Sequence, residues 1–331
     1  MLYNVYSEKM SIRTKSKKDP ISYFNIMVVG ASGSGKTAFV RTLCETLKNE
    51  VIEGSYKESK PMALKNSLEP TEGLYTVSMQ IEKEGQRTAL TVIDTPGFAA
   101  GFAIDHHLSY IAKYIDYQFA RTLTEETKVR RDAKAHDTHI HACLYFVDTS
   151  QVKGLSETDK YIFKFLSSRV NVIPIIGKSD TLTATQRTLL QSSLRSEIIE
   201  TLQVPVYGYI DMEEQDSTQT QMEKIKTLLQ TCVEEDHDEE ASAMIDYLDQ
   251  FPFSVFSFEH DPYTGHPIQM GRRYPWATVE CCNPKHCDLV SLIDMLLVKH
   301  KDMLRMDTFE RFYEQYRTVH LMNTQKNKMF K

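Results

Sequence analysis

A glycine-rich segment that ends in a lysine and a threonine is the clearest candidate for chemistry in the sequence. Residues 30–37 read GASGSGKT and fit the pattern G-x-x-x-x-G-K-[ST], which wraps around phosphate groups in nucleotide-binding proteins. Glycines let the backbone turn tightly, so that successive N–H groups point at phosphate oxygens. Lys36 would reach the β- and γ-phosphates, and the Thr37 hydroxyl would bind Mg²⁺. The residues predicted to contact the nucleotide here are Gly30, Ala31, Ser32, Gly33, Ser34, Gly35, Lys36, Thr37 and Ala38.

Asp94 and Gly97 form a second candidate group. They follow a short apolar run in the sequence Asp-Thr-Pro-Gly. A carboxylate at the end of such a run is a usual outer or water-mediated partner of Mg²⁺, and a glycine N–H can approach the γ-phosphate. The D-x-x-G spacing is common on its own, so its weight comes from its position after the phosphate-binding pattern. Asp94 and Thr37 are therefore the predicted metal-binding residues.

Asp180 is the candidate for recognising the base. The sequence Gly-Lys-Ser-Asp at residues 177–180 resembles the [NA]-K-x-D motif of GTPases. The Asp180 carboxylate would accept hydrogen bonds from guanine N1–H and the exocyclic amine, a donor pair that adenine lacks, while the stem of Lys178 packs over the base. A buried acceptor without its donors costs about 1–3 kcal/mol, which favours GTP over ATP. The alternative is a solvated turn at the end of a strand.

These groups can meet only if strands and helices bring them to one edge of a sheet. Short apolar runs predict buried strands at Phe24–Val29, Leu90–Ile93, Ala142–Val147, Val172–Ile176, Val204–Ile210 and Phe253–Phe258. Helical spacing predicts helices at Thr37–Asn49, Asp105–Leu123, Ser156–Ser168, Thr185–Leu202 and Ser217–Cys232, with one or two more in His286–His320. Alternating strands and helices imply an α/β fold with a doubly wound, mostly parallel sheet, whose ligands bind at the carboxyl ends of the strands.

Composition excludes several classes of function. The net charge of -6 argues against a nucleic-acid partner, so none is expected. No apolar run approaches the roughly 20 residues of a membrane-spanning helix, and the first residues lack the pattern of a secretory signal. Free cysteines without an export signal predict a cytoplasmic protein.

Three clustered cysteines raise the alternative of a zinc site. Cys281, Cys282 and Cys287 lie close to His286, and thiolate and imidazole are zinc ligands. The adjacent pair would point to opposite faces of a strand, and C-x-x-C spacing is missing, so ordinary thiols are favoured.

The region after Asp180 carries a resemblance to a known family. Residues 271–276 read GRRYPW, followed by Val-Glu at 279–280 and His-Cys-Asp at 286–288. This resembles the septin-specific stretch G-R-x-Y-P-W-G-x-V-E with a later H-[CN]-D, and the similarity runs roughly from residue 23 to 320. The resemblance implies a P-loop NTPase of the Ras-like GTPase type. It divides the chain into a basic N-terminal segment at 1–21, a GTPase core at 22–258, and a septin unique element with terminal helices at 259–331.

Septin resemblance also implies ligands and partners. GTP or GDP with Mg²⁺ would bind the core, Arg272 would lie against the guanine, and Ser257 stands where the family has a glycine of that site. Other septin subunits would join through the nucleotide face and the opposite face. The assembled subunits would form filaments or rings at the cell cortex, at a bud neck or septum. These assemblies would serve cytokinesis or a specialised stage such as sporulation. A monomeric GTPase switch with slow hydrolysis is the alternative.

Charged runs gain a meaning from the same resemblance. The basic residues Arg13, Lys15, Lys17 and Lys18 match a segment linked to anionic phosphoinositide membranes, where each contributes about 1 kcal/mol. A second basic region surrounds Lys128, Arg130, Arg131 and Lys134. The acidic block at 234–240 would face basic residues across a subunit interface. Without the family context, a solvated tail or loop is the favoured explanation of each run, and with that context the two explanations are equally good.

The sequence leaves open whether the protein hydrolyses GTP. No glutamine follows Gly97 in the place that signalling GTPases use to position water. Hydrolysing septins use a threonine, and counting back from residues 81–85 assigns that role to Thr71, which is explained equally well as a turn residue beside Pro70. The sequence also departs from septins at Ala99, Ala100 and Ala277, and has Lys153 in a loop that normally carries a histidine. These departures indicate a divergent member in which GTP is either slowly hydrolysed or held as a structural ligand.

Overall fold

A seven-stranded sheet forms the centre of the molecule. The computed structural model describes residues 21–59, 74–98, 104–128, 136–147, 154–210, 220–261, 263 and 267–329. The strands of the central sheet are β1 Ser22–Gly30, β2 Lys57–Glu58, β3 Tyr75–Lys83, β4 Gln86–Asp94, β5 Ala142–Val147, β6 Val172–Ile176 and β7 Phe253–Ser254. Their order is β2-β3-β4-β1-β5-β6-β7. Strands β4, β1, β5, β6 and β7 are mutually parallel, whereas β2 and β3 run antiparallel to their neighbours. The predicted doubly wound, mostly parallel sheet is confirmed.

The sequence explains the two kinds of strand. β1 and β5 are buried along nearly their whole length, as expected for parallel strands covered on both faces. β3 alternates buried and more exposed residues, as expected for a strand with one solvated face. β3 joins β4 through Glu84 and Gly85, which both have positive φ angles of 51° and 77°, as a two-residue hairpin requires.

Helices cover the sheet and form most of the chain after β9. Those in the described ranges are α1 Lys36–Leu47, α2 Ile104–Glu126, α3 Glu157–Ser167, α4 Ala184–Ser196, α5 Gln221–Asp236, α6 Glu239–Gln250, α7 Leu289–Asp294, α8 Lys301–Asp307 and α9 Glu314–Met329. Wider π-helical turns extend the helical path at Glu197–Thr201, Met295–Lys299 and Thr308–Tyr313. Capping boxes at Ser156, Thr183 and Thr220 fix where three of the helices begin. None of the described helices has the length and apolar character needed to span a bilayer.

Two strand predictions differ from the structure. The prediction of a strand at Val204–Ile210 is wrong, because Pro205 has no N–H for a ladder and the Val206 N–H instead bonds the Val204 carbonyl at 2.7 Å. The burial of Val204 and Val206 explains their strand-like composition. The run Phe253–Phe258 is buried throughout, but only its first two residues form β7.

The acidic block is helical rather than a loop. Residues 234–236 end α5, His237 adopts a left-handed conformation, and α6 begins at Glu239. The Asp238 carboxylate accepts hydrogen bonds from the N–H groups of Glu240 and Ala241. Asp238, one residue of the acidic block, therefore caps the start of α6, where exposed backbone N–H groups favour a carboxylate.

A small hairpin lies between β7 and the terminal helices. It consists of β8 Gly271–Arg273 and β9 Thr278–Glu280, paired antiparallel. Its turn is closed by a hydrogen bond from the Tyr274 N–H to the Ala277 carbonyl at 2.8 Å. This hairpin contains the residues whose sequence resembles septins, and it contributes side chains to the site below.

Candidate nucleotide-binding site

The loop between β1 and α1 occupies the carboxyl edge of the central sheet. Gly35 immediately precedes α1 with a φ of 98°, a conformation that glycine adopts without strain. The first N–H groups of α1 have no partners inside the helix, so this end of the helix favours an anion. The loop and the first turn of α1 thus form a backbone arrangement suited to an anion, and phosphate binding there stays a prediction.

Lys36 is folded back over this loop. Its ammonium donates hydrogen bonds to the Gly30 carbonyl at 2.9 Å and to the Ala31 carbonyl at 2.7 Å. An ammonium has three N–H donors, so one is left for a phosphate oxygen. Burial lowers the pKa of Lys36 to about 8, and the negative charge of Asp94 opposes that shift. The Lys36 ammonium is therefore held in place, and its positive charge is only partly balanced by Asp94, as phosphate binding requires.

Asp94 and Thr37 lie together beside the loop. The Thr37 hydroxyl donates to Asp94 Oδ2 at 2.6 Å, while the buried Oδ1 atom has no hydrogen-bond partner among the described residues. Burial raises the pKa of Asp94, and the Thr37 hydrogen bond and the charge of Lys36 lower it. Hydroxyl and carboxylate oxygens are the ligands that Mg²⁺ prefers, and an unsatisfied buried oxygen favours a cation or its water. The pair therefore fits Mg²⁺, which Thr37 and Asp94 would hold directly or through water.

Gly97 packs against the phosphate loop. A Cβ atom at this position would lie 2.4 Å from Ser32 Cα and 3.0 Å from Lys36 Nζ, so only glycine fits. Two backbone hydrogen bonds fix the approach, from the Ser32 N–H to the Phe98 carbonyl and from the Phe98 N–H to the Gly30 carbonyl. The two motifs, about sixty residues apart in sequence, thus form one structural unit.

The base-recognition segment follows β6 at the same edge. Lys178 has a positive φ of 52°, and its Cγ atom lies 3.8 Å from the position of a Cβ built on Gly35. The Ser179 N–H bonds the Val255 carbonyl, which anchors the short 3₁₀ turn Ser179–Thr181 to the chain after β7. Lys178 is therefore close to the phosphate loop, as a residue that covers the base should be.

Asp180 is buried within a polar cluster. Its side chain is fully inaccessible, and its Oδ2 atom accepts hydrogen bonds from Arg272 Nη1 at 3.0 Å and from the Tyr274 hydroxyl. Arg272 Nε also donates to the Ser257 carbonyl at 2.8 Å. Asp180 Oδ1 has no hydrogen-bond partner among the described residues. The three predicted base-site residues Asp180, Ser257 and Arg272 thus share one network that leaves a buried acceptor unsatisfied.

Sequence reasoning missed two members of this site. Tyr274 stands in the family string but received no role, although it lies two residues beyond Arg272 and an extended chain brings i and i+2 to one face. Phe146 at the end of β5 lies under both loops, within 2.9 Å of Cβ atoms built on Gly30 and on Gly177. No local sequence signal marks Phe146, because its role depends on two distant loops meeting over it.

Several predicted functional residues lie outside the described part of the chain. They are Arg13, Lys15, Lys17, Lys18, Thr71, Ala99, Ala100, Arg130, Arg131, Lys134 and Lys153. Lys128 is described and forms an ion pair with Glu125. In the cysteine cluster, Cys281 and Cys287 are buried and Cys282 is exposed, and no group of three metal-ligating side chains occurs within the described ranges.

Comparison with known proteins gives a consistent family. The septin family model matches residues 21–329. The septin homologue spn3 of Schizosaccharomyces pombe is 32% identical over 317 residues, covering 96% of this chain and 77% of that protein. The neuronal-specific septin-3 of Danio rerio is also 32% identical, covering 90% of this chain and 74% of that protein.

A solved structure has the same fold. The septin GTPase domain of Chlamydomonas reinhardtii superposes with a TM-score of 0.59 at 23% identity, covering 90% of this chain and 98% of that chain. The family model extends through both the phosphate loop and the β8–β9 hairpin. On these grounds the chain belongs to the septin family.

Proposed function

We propose that the protein is a guanine-nucleotide-binding subunit that assembles with other septins into filaments or rings at the cell cortex. The observation that carries the nucleotide part is the buried Asp180 carboxylate, whose Oδ1 atom is unsatisfied at the same sheet edge as Lys36. A buried acceptor of this kind is stabilised by a ligand that brings two adjacent donors. Guanine has that pair in its N1–H and exocyclic amine, and membership of the septin family implies the same ligand.

The other site residues would each act on a different part of the nucleotide. The phosphate loop and Lys36 would bind and orient the phosphates, and Gly97 would admit them closely. Mg²⁺, where bound by Thr37 and Asp94, would neutralise charge between the phosphate oxygens. Lys178 and Arg272 would cover the base. Each assignment is supported by the position of the residue at one edge of the sheet, and a substitution of that residue would test it.

Release of bound nucleotide tests the first part of the proposal. We expect that the purified protein, denatured and analysed by ion-exchange chromatography, releases GDP or GTP. A matched preparation of Lys36→Ala, which removes the phosphate-binding cation, should release much less. Adenine nucleotide alone, or equal guanine nucleotide from both proteins, would contradict a guanine site built on these residues.

Assembly through the nucleotide face is supported by an exposed aromatic side chain. Trp276 is 80% exposed, and its ring is stacked on Tyr274 at a centroid distance of 5.4 Å. A large exposed tryptophan next to a ligand site is a frequent anchor of subunit contacts. Binding of nucleotide and binding of a neighbouring septin would then share the β8–β9 hairpin.

Membrane attachment is the part of the proposal that rests on the N-terminal segment. Arg13, Lys15, Lys17 and Lys18 immediately precede the domain that begins with β1. Four cations near an anionic surface would give weak, salt-sensitive binding. Co-sedimentation with vesicles containing phosphatidylinositol bisphosphate should therefore decrease when all four are changed to glutamine. Equal sedimentation of both proteins would remove this segment from membrane attachment.

Hydrolysis distinguishes the filament subunit from a GTPase switch. Single-turnover assays of wild type and Thr71→Ala measure whether Thr71 contributes to the chemical step. We expect slow turnover in wild type that decreases in the variant. Equal rates would exclude Thr71 from the mechanism and leave GTP as a structural ligand, whose binding stabilises the fold by mass action.

A further inference from the structure

Tyr274 joins the base-recognition carboxylate to the surface of the molecule. Its hydroxyl donates to Asp180 Oδ2, and its ring stacks on Trp276 with an interplanar angle of 13°. Burial raises the pKa of Tyr274 and the Asp180 carboxylate raises it further, so the hydroxyl stays protonated and acts as the donor. Its backbone N–H closes the turn of the β8–β9 hairpin. The hairpin turn and the stacking on Trp276 thus position the Tyr274 hydroxyl beside Asp180 Oδ2.

The hydrogen bonds to Asp180 are unevenly divided. Both Arg272 and Tyr274 donate to Oδ2, whereas Oδ1 has no partner among the described residues. Two charge-assisted hydrogen bonds on one oxygen restrict rotation of the carboxylate about its Cβ–Cγ bond. That restriction keeps Oδ1 as the acceptor that a ligand must satisfy, and it lowers the cost of ordering Asp180 when the ligand binds.

The two donors to Oδ2, Arg272 and Tyr274, differ in their other contacts. A carboxylate oxygen has two lone pairs, so a guanine donor that reaches Oδ2 must replace one of the two hydrogen bonds that this atom already accepts. The Arg272 side chain is 34% exposed and also donates from Nε to the Ser257 carbonyl, whereas the Tyr274 ring stacks on Trp276 and its backbone closes the hairpin turn. Arg272 keeps an acceptor in the Ser257 carbonyl when a guanine donor takes its place on Oδ2, so we expect Arg272 to give up its bond to Asp180 and Tyr274 to retain its own.

From this geometry we infer that Tyr274 is a positioning residue for guanine recognition: its hydroxyl orients Asp180 so that the carboxylate reads the base. This inference rests on the proposed guanine site. It assigns to Tyr274 a share of the discrimination between guanine and adenine nucleotides, exerted through Asp180 and without contact to the phosphates.

Equilibrium binding of GDP and ADP to wild type, Tyr274→Phe and Tyr263→Phe tests the inference. Tyr274→Phe removes the hydroxyl and keeps the ring on Trp276, and Tyr263→Phe makes the same chemical change on a side chain that is 94% exposed. We expect the ratio of GDP to ADP affinity to fall about tenfold in Tyr274→Phe, the loss typical of one hydrogen bond to a charged group. ADP affinity and the ratio in Tyr263→Phe should not change.

A double-mutant cycle with Asp180→Asn separates positioning from general damage. Because Tyr274 acts through the carboxylate, Tyr274→Phe should lower the ratio no further in the Asp180→Asn background. An unchanged or higher ratio in Tyr274→Phe, equal losses of GDP and ADP, or additive losses in the double variant would each overturn the inference. A wild type that shows no preference for GDP would instead overturn the proposed guanine site itself.

Discussion

At the scale of single residues, Asp180 offers the most specific test of base recognition. Asp180→Asn replaces one acceptor oxygen by an amide donor, which would face the exocyclic amine of guanine. Xanthine has a carbonyl at that position and can accept from the amide. We expect GDP affinity to fall by roughly one to two orders of magnitude and XDP affinity to rise, because a hydrogen bond to a charged group contributes about 1.5–3 kcal/mol. Titration calorimetry with both nucleotides measures the exchange of preference, and parallel changes for the two would contradict it.

Lys36 should make nucleotide binding depend on pH. Its pKa is lowered to about 8 by burial, and a phosphate beside the ammonium would raise it again. The free protein is then partly deprotonated near pH 8 while the complex is protonated, so binding takes up a proton and GDP affinity falls as the pH rises through that range. Lys36→Arg stays charged and should show a flatter dependence. Calorimetry in buffers of different ionisation enthalpy measures the proton uptake, and identical pH slopes in both proteins would refute this role.

Residues in local patterns were predictable, and residues brought in by the fold were not. Gly30 to Thr37 are consecutive, so their spacing alone indicates phosphate binding. Tyr274 reaches Asp180 across 94 positions of sequence, and Phe146 lies beneath two separate loops. Such contacts depend on the packing of β5, β6 and the β8–β9 hairpin, which no spacing in the sequence encodes.

At the scale of elements, the acidic block has a structural part that can be separated from any interface role. Asp238 is the N-cap of α6, and Glu234 is an exposed residue of α5. Asp238→Ala should lower the free energy of unfolding by about 1 kcal/mol, because two N–H groups lose their acceptor. Glu234→Ala, which removes the same charge, should leave it within about 0.5 kcal/mol of wild type. Urea denaturation measures the free energy of unfolding of both variants, with unchanged m-values expected. Equal effects of the two substitutions would contradict the capping role.

Two elements show that the periodicity of apolar residues is insufficient to predict secondary structure. Val204–Ile210 has the composition of a strand and buries Val204, Val206 and Tyr207, yet it is irregular because Pro205 interrupts hydrogen bonding. Helix α6 was not predicted, since its acidic first turn resembles a solvated run until the Asp238 cap is seen. In contrast, β6 ends at Ile176 as predicted, and β1 and β4 each end one residue beyond the predicted end, because their apolar runs stop at the binding motifs.

At the scale of the whole molecule, Trp276 is the test of assembly through the nucleotide face. It is the one tryptophan in the sequence, and its side chain is 80% exposed. A buried tryptophan at the centre of an interface typically contributes 2 kcal/mol or more, so Trp276→Ala should weaken association by roughly thirtyfold. Tyr117→Ala, on an exposed aromatic residue of α2, should not.

Light scattering after size-exclusion chromatography measures this difference, with GDP present so that the site is saturated. We expect wild type and Tyr117→Ala to form oligomers at concentrations where Trp276→Ala is monomeric, and all three to retain GDP. In wild type, the tryptophan emission should shift to shorter wavelength on association, because the indole ring leaves water. Oligomers of equal size in all three proteins, with an unshifted emission, would show that subunits meet elsewhere. Retention of GDP by monomeric Trp276→Ala would separate nucleotide binding from assembly, two properties that the β8–β9 hairpin otherwise links through Tyr274.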